Sequence, residues 1–262
     1  MKEKVQVQVL GCSGGIGAGL KTTCFKINDS ILIDAGTGLE LLDTESMLKL
    51  RHLFITHAHL DHICCLPLML PTIYDRLKQP IAIRANATVL KALRESIFNW
   101  TVWPDYTRIP SEQSSLLKFS EMAPGQRVEL DTLSITALAV NHPTTTQGYL
   151  LESAAGAFAF SGDTASAPEF IARLAAVKKL QHIAIDVSFP SEQRELAQAS
   201  GHYTPATLKT DLDRWPTGQP KPVLHISHLK PGYEERVINQ CMALLEGWDV
   251  RRLRSGDVLL IE

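Results

Sequence analysis

Thr56-His57-Ala58-His59-Leu60-Asp61-His62 carries three histidines and one aspartate within the six consecutive residues 57–62. The apolar run Leu53-Phe54-Ile55 precedes it and reads as a buried strand. The apolar segment Ile63 to Lys78, interrupted by Pro67 and Pro71, follows it and reads as a helix. The ligand-type residues therefore fall on a strand-to-helix turn, which is where α/β folds place their sites. Neutral imidazole and carboxylate are the usual ligands of zinc and related divalent ions. His57 and His59, two residues apart, can converge on one ion. A tight turn could aim the adjacent Asp61 and His62 at a second. The plain alternative is a polar loop that happens to be rich in histidine; specific spacing between two apolar flanks argues against it.

The stretch resembles the H-x-H-x-D-H signature of the metallo-β-lactamase superfamily. With leucine before the aspartate, His57 to Ile63 is more narrowly similar to the class II cyclic-nucleotide phosphodiesterases and to some of their tRNA-processing relatives, the RNase Z enzymes. Two positions depart from the narrower pattern. Cys65 stands where it has glycine or serine, and Pro67 where it has an aliphatic residue. These departures bear on the substrate and leave the metal reading intact.

The chain has 262 residues, 45% of them hydrophobic and 21% charged, the balance of a globular protein with a substantial core. A net charge of -2 gives no global electrostatic reason to bind nucleic acid. Five cysteines without regular spacing do not suggest a disulfide framework, and a reduced, cytoplasmic setting is the expectation. The opening Met1-Lys2-Glu3-Lys4-Val5-Gln6-Val7 lacks the apolar core of a signal peptide, and no stretch is long and apolar enough to cross a membrane. No internal repeat, low-complexity tract or linker divides the chain, so residues 1–262 are expected to form one hydrolase domain.

Val5, Val7 and Val9 alternate with polar residues, predicting a strand over 4–10. The glycine-rich loop Gly11-Cys12-Ser13-Gly14-Gly15-Ile16-Gly17 is followed by strand patterns at 23–27 and 31–33, not by a helix, which argues against a dinucleotide-binding fold. Helices are expected over 38–49, 88–99, 168–179, 191–199 and 234–245, with Thr204 as an N-cap and Pro205 at the first position of another. Strands are expected at 81–83, 183–185, 223–227 and 258–261. Repeated strand patterns from Leu116 to Phe160 suggest a second sheet. Trp100, Trp103 and Tyr106 cluster with Pro104 and Pro110; such aromatics can stack on a base but more often pack beneath an irregular loop. The order of elements suits an α+β, αββα sandwich in which two facing mixed sheets are flanked by helices.

The resemblance extends over essentially the whole chain and implies the remaining ligands. Asp34, in Asp34-Ala35-Gly36-Thr37-Gly38, resembles the superfamily's first motif, whose aspartate supports the ligands from behind them. Standing alone, His142 would be a surface or core histidine and Asp163 a turn aspartate. At the ends of their strand patterns they match the third and fourth motifs. His225 and His228 both compete for the last ligand place; His228, at the end of its apolar run and followed by Leu229-Lys230-Pro231, matches better. The implied assignment puts His57, His59 and His142 on one ion, Asp61, His62 and His228 on the other, and Asp163 between them. The cofactors would be two divalent metal ions, zinc foremost with manganese or iron as alternatives, about 3.5–4 Å apart as a clamp for phosphoryl chemistry around a metal-activated water. His202, in Gly201-His202-Tyr203-Thr204-Pro205, resembles the histidine that these relatives place beside the metals, and it would act with Asp61 and Asp163 as the catalytic group.

The activity implied is hydrolysis of a 3′,5′-cyclic nucleotide (cAMP or cGMP) to the 5′-nucleotide. The alternatives are an RNase Z-like tRNA 3′-endonuclease, another small phosphodiester or ester hydrolase, or a metal- or nucleotide-binding sensor on the same fold. No Gly/Lys-rich arm for tRNA stands out, and electrostatics dominates nucleic-acid affinity, so a small-molecule partner is favoured over tRNA. No membrane partner is expected, and a homodimer is left open.

Overall fold

The fold is described for residues 4–262, from a computed structural model. In β1 (Val5–Gly11) the alternation predicted from sequence is realised: Val5, Val7 and Val9 are buried while Gln6 faces solvent. β1 lies between β14 (Val258–Ile261) and β2 (Cys24–Ile27), and the sheet continues through β3 (Ile31–Ile33), β4 (His52–Phe54), β5 (Ile81–Ala85) and β6 (Leu117–Glu121). Pairing is antiparallel from β14 to β3 and parallel from β3 to β6. The second seven-stranded sheet runs β13 (Val250–Arg252), β12 (Val223–Ser227), β11 (Leu180–Asp186), β10 (Ala157–Phe160), β9 (Gln147–Ser153), β8 (Leu133–Ala139), β7 (Arg127–Leu130). Its β10 to β13 portion is parallel and the rest antiparallel.

Three apolar clusters make the layers. Between the sheets lie Phe25, Phe158 and Phe160, with ring centroids of Phe25 and Phe160 4.7 Å apart, together with Phe54 against Tyr149 at 5.5 Å. Outside the first sheet pack α1 (Thr44–Lys49), α3 (Cys65–Ile73) and α4 (Ala87–Ala92). Outside the second pack α5 (Pro168–Ala175), α7 (Pro205–Leu212) and α8 (Glu234–Leu244). This is the expected αββα sandwich of the metallo-β-lactamase fold. Buried on both faces, β3, β10 and the end of β11 are continuous apolar runs. The Tyr149 hydroxyl donates to the Ile55 carbonyl at 2.8 Å, tying the second sheet to the first directly under the histidine-rich turn.

Several sequence expectations need correction. The sequence pattern puts the strand after Leu116 in the second sheet, but β6 pairs in parallel with β5 at the edge of the first; a strand pattern does not name its partner. The helix over 38–49 is a 3₁₀ turn (Thr37–Leu41) and α1, separated because Asp43 caps α1 by accepting from the Ser46 N–H. The helix over 63–78 is a short α2 (Leu60–Ile63) and then α3, which tolerates Pro71 but ends at Ile73. The 88–99 helix gives way after α4 to a π-type turn at Leu93–Ile97, and α5 stops at Ala175. The helix over 191–199 opens as a 3₁₀ turn (Ser191–Gln193) and continues as α6 (Arg194–Ser200). β13 was not foreseen: two of its three residues are arginines, and it lies at a sheet edge. Of the aromatic cluster, Tyr106 is buried and Trp103 packs against the outer core, but Trp100 is 61% exposed. Among the described residues no helix is long and apolar enough to cross a membrane.

Candidate metal centre

Every candidate ligand lies just beyond or near the C-terminal end of a strand, and the two sheets bring those ends to one place. Asp34 follows β3, the histidine-rich turn follows β4, His142 follows β8, Asp163 follows β10, and His228 follows β12. His57 lies on the turn and His59 is the N-cap of α2, while Asp61 and His62 occupy its first turn. The candidate ligands are thus shared between loop and helix, not confined to the loop. Asp34 and His228 both adopt left-handed backbone conformations, with φ of 58° each, an uncommon state for non-glycine residues that concentrates at functional sites.

Two groups of donors converge. In the first, one ligand atom each of His57, His59, His142 and Asp163 lies within 4.8 Å of the others; in the second, the same holds for Asp61, His62, Asp163 and His228. Asp163 belongs to both. Its Oδ1 is 3.2 Å from His62 Nε2, and its Oδ2 is 3.3 Å from His228 Nε2 and 3.7 Å from His57 Nε2. His228 Nε2 is also 3.2 Å from Asp61 Oδ2. His225 points elsewhere: its Nε2 lies 3.1 Å from His182 Nδ1. Of the two candidates, His228 and not His225 lies within the group of donors.

The outer nitrogens of His57, His62, His142 and His228 are occupied, which turns their inner ones toward the centre. His62 Nδ1 donates to Asp34 Oδ2 at 2.7 Å. The Thr56 hydroxyl donates to the same carboxylate at 2.8 Å, so its oxygen is left to accept from His57 Nδ1 at 3.1 Å. His142 Nδ1 donates to the Gly201 carbonyl at 2.9 Å. His228 Nδ1 donates to Ser188 Oγ at 2.9 Å, and that hydroxyl donates to Asp186 Oδ1 at 2.7 Å. What remains inside is a set of buried atoms with no well-directed hydrogen bond: Nε2 of His57, His62 and His142, and Oδ1 of Asp163, which faces His62 Nε2 at 3.2 Å. Unpaired polar atoms buried this deeply are costly unless something binds them. Four such atoms facing one another, with imidazole and carboxylate chemistry, fit divalent cations.

The electrostatics agree. Burial keeps His57, His59 and His142 below the ordinary histidine range, as neutral ligands must be. Burial opposes the charged form of His62 too, but Asp163 and Asp34 on its two sides outweigh it, so the position favours a positive charge. For Asp163 and Asp61, burial would raise the carboxyl; the neighbouring His228 and His62 override it and hold both carboxylates ionised.

His202 stands next to this centre. Its ring stacks on His228, with centroids 5.1 Å apart and planes at 22°, and lies 5.3 Å from His142. Its Nδ1 donates to Asp186 Oδ2 at 2.6 Å. Burial disfavours the imidazolium, but Asp186 prevails and raises the pKa. Asp186, His202 and His228 form a third cluster of potential donors. Since Asp186 already accepts from His202 and Ser188, this cluster is a hydrogen-bond network and not a third ion site. Asp186 and Ser188 were missed as functional residues from sequence. The available signal was an aspartate ending a buried strand pattern beside the other strand ends. The Asp211 carboxylate, also missed, accepts from the Tyr203 and Ser166 hydroxyls and the Ala167 N–H, clamping the loop after Asp163 to α7.

Comparison with known proteins follows the same line. The model of the "Beta-lactamase superfamily domain" matches residues 29–253. A Yersinia pestis protein described as "Probable 3',5'-cyclic-nucleotide phosphodiesterase" is 27% identical over 297 aligned residues, which cover 95% of this chain and 81% of the relative. The Aliivibrio fischeri 3',5'-cyclic-nucleotide phosphodiesterase is 31% identical over 183 residues, covering 63% of this chain and 53% of that one. Among solved structures, unliganded yeast PDE1 superposes with a TM-score of 0.81 at 18% identity, over 100% of both chains. The short form of human tRNase Z gives 0.69 at 17% identity, over 98% of this chain and 99% of that one. At these identities the structural likeness is one of fold.

Proposed function

Because the chain belongs to the metallo-β-lactamase superfamily and is related to class II cyclic-nucleotide phosphodiesterases, we propose that it is a dinuclear metal-dependent phosphodiesterase that opens a 3′,5′-cyclic nucleotide to the 5′-nucleotide. One observation carries the reading: seven donors converge in two groups that share Asp163. His57, His59, His142 and Asp163 would hold one ion, and Asp61, His62, His228 and Asp163 the other. When bound, two divalent ions neutralise charge on phosphoryl oxygens and supply an acidified water.

The chain's own residues do the rest. Asp34, Thr56, Ser188 and the Gly201 carbonyl fix the tautomers of His62, His57, His228 and His142 so that their Nε2 lone pairs face inward. His202 has Nδ1 committed to Asp186, so Nε2 is the atom that meets substrate and holds the proton for the leaving oxygen. An alkoxide is a poor leaving group until protonated, and Asp186 favours the protonated ring by its charge. Asp186 acts as a positioning residue, since it reaches the substrate only through His202.

The test is a turnover screen of purified, metal-loaded protein on 3′,5′-cyclic nucleotides, bis(p-nitrophenyl) phosphate and precursor tRNA. The expected result is conversion of a cyclic nucleotide to the 5′-nucleotide as the best substrate. Preferred cleavage of precursor tRNA would replace the substrate assignment while keeping the metal centre.

A further inference from the structure

We propose that a cavity of about 250 Å³ bounded by Asn141, Ser166, Arg194, Gln198, His202 and Thr207 receives the nucleobase of the substrate, with Arg194 and Gln198 reading its edge. The proposal rests on the cyclic-nucleotide reading above and deepens it.

The chemistry places the nucleoside. In opening the ring, a water gives up one proton to solvent, its oxygen bonds to phosphorus and the P–O3′ bond breaks. The electron pair of that bond goes to O3′, which takes the proton from His202, while the P–O5′ bond stays intact; solvent later returns a proton to His202. The departing O3′ must therefore touch His202. O3′ and O5′ belong to one sugar, so the sugar and its base lie on the His202 side of the phosphorus. The cavity has His202 in its wall, and the His202 ring lies 5.1 Å from that of His228 and 5.3 Å from that of His142.

The lining suits a base. Arg194 and Gln198 are four residues apart on α6 and so share one face of that helix. Both are exposed. Among the described residues, neither the Arg194 guanidinium nor the Gln198 amide has an ion-pair or side-chain hydrogen-bond partner. On the facing wall the polar groups are already engaged: Asn141 Nδ2 donates to the Ser166 carbonyl at 2.9 Å, and Ser166 Oγ donates to Asp211 at 2.9 Å. Unpaired recognition groups are thus concentrated on α6. A guanidinium can stack on a base plane or donate two parallel hydrogen bonds, and a carboxamide both donates and accepts, as a base edge requires.

The experiment compares wild type, Arg194→Ala and Gln198→Ala as full-length, metal-loaded proteins. Steady-state constants are measured on 3′,5′-cAMP, cGMP, cCMP and cUMP and on bis(p-nitrophenyl) phosphate. Calorimetry gives Kd for the nucleoside 5′-monophosphates and for inorganic phosphate. Loss of a base contact should raise KM for the preferred cyclic nucleotide, and Kd for its 5′-nucleotide, about tenfold, and narrow the preference among bases. The losses on bis(p-nitrophenyl) phosphate and inorganic phosphate should be at least about fivefold smaller. Both side chains are exposed, so folding should survive, and melting temperature and metal content check this. Equal losses on all ligands, or unchanged KM on cyclic nucleotides, overturn the base subsite alone. A wild type that cleaves bis(p-nitrophenyl) phosphate but no cyclic nucleotide overturns the substrate reading and the subsite with it.

Discussion

Gly201 joins the metal centre to His202, and replacing it by alanine should damage both stability and metal binding. Its φ of 75° lies in the left-handed region. A Cβ there would stand 2.1 Å from Pro143 Cδ and 2.8 Å from His142 Nδ1. The backbone conformation alone costs a non-glycine residue about 1–2 kcal/mol. Forcing an extra carbon into packed surroundings costs about 1–3 kcal/mol more. The total of about 2–5 kcal/mol corresponds to a Tm loss of about 4–20 °C in a chain of this size. Gly218 provides the control: its φ is 80°, but nothing lies within 4 Å of an added Cβ. Gly218→Ala should lose only the backbone share, about 2–8 °C. The clash also pushes on His142, whose Nδ1 is held by the Gly201 carbonyl, so Gly201→Ala should weaken metal affinity about 10–100-fold while Gly218→Ala leaves it intact. Differential scanning calorimetry and metal titration read the two effects. Equal Tm losses in the two variants, with normal metal affinity in both, would refute the argument that the Gly201 carbonyl seats His142 through a space only glycine can fill.

The other predictions concern the histidines and Asp186. His228→Ala should reduce metal at one site while His225→Ala, whose ring pairs with His182, leaves metal content unchanged; the reverse result would reassign the ligand. His202→Ala should lose about 10²–10⁴ in kcat on a cyclic nucleotide but much less on bis(p-nitrophenyl) phosphate, whose leaving group needs little protonation, with both metals retained. Equal losses on the two substrates would leave His202 as a phosphate-positioning group. Asp186→Asn removes the negative charge that overcomes burial and raises the His202 pKa. The acid is present below that pKa and lost as pH rises through it, so the alkaline limb of kcat should move to lower pH, and an unmoved limb would contradict the pairing. The direction does not depend on the metals, because removing a nearby anion disfavours the imidazolium in either case.

The legible parts of the sequence were those in which local pattern and local chemistry coincide. Val5, Val7 and Val9 announce a half-buried strand because the side-chain period of a strand is two, and they are buried as that period requires. The histidine-rich turn is legible because ligand types, spacing and apolar flanks occur in one short window. What stayed hidden depends on partners distant in the chain. The strand character of Leu117–Glu121 carries no record of its pairing with β5, which closes across the long irregular segment between α4 and β6. Asp186 reads as any aspartate ending a strand; only the fold sets it 2.6 Å from His202, sixteen residues on, and links it through Ser188 to His228. β13 pairs along an edge through backbone groups, so its arginines give no apolar signal. The cavity beside His202 has walls from four stretches, around Asn141, around Ser166, on α6 and from His202 to Thr207, that no local window contains.

The central claim is that Asp163 joins two metal sites in one centre. The most direct test is the metal content of protein purified without chelator and saturated with zinc or manganese, for wild type and Asp163→Asn side by side. The wild type should hold close to two ions per chain and the variant should show reduced occupancy of both sites, since Asp163 alone belongs to both groups of donors. A wild type that saturates reproducibly at one ion, or a variant that loses only one of two, would contradict that claim.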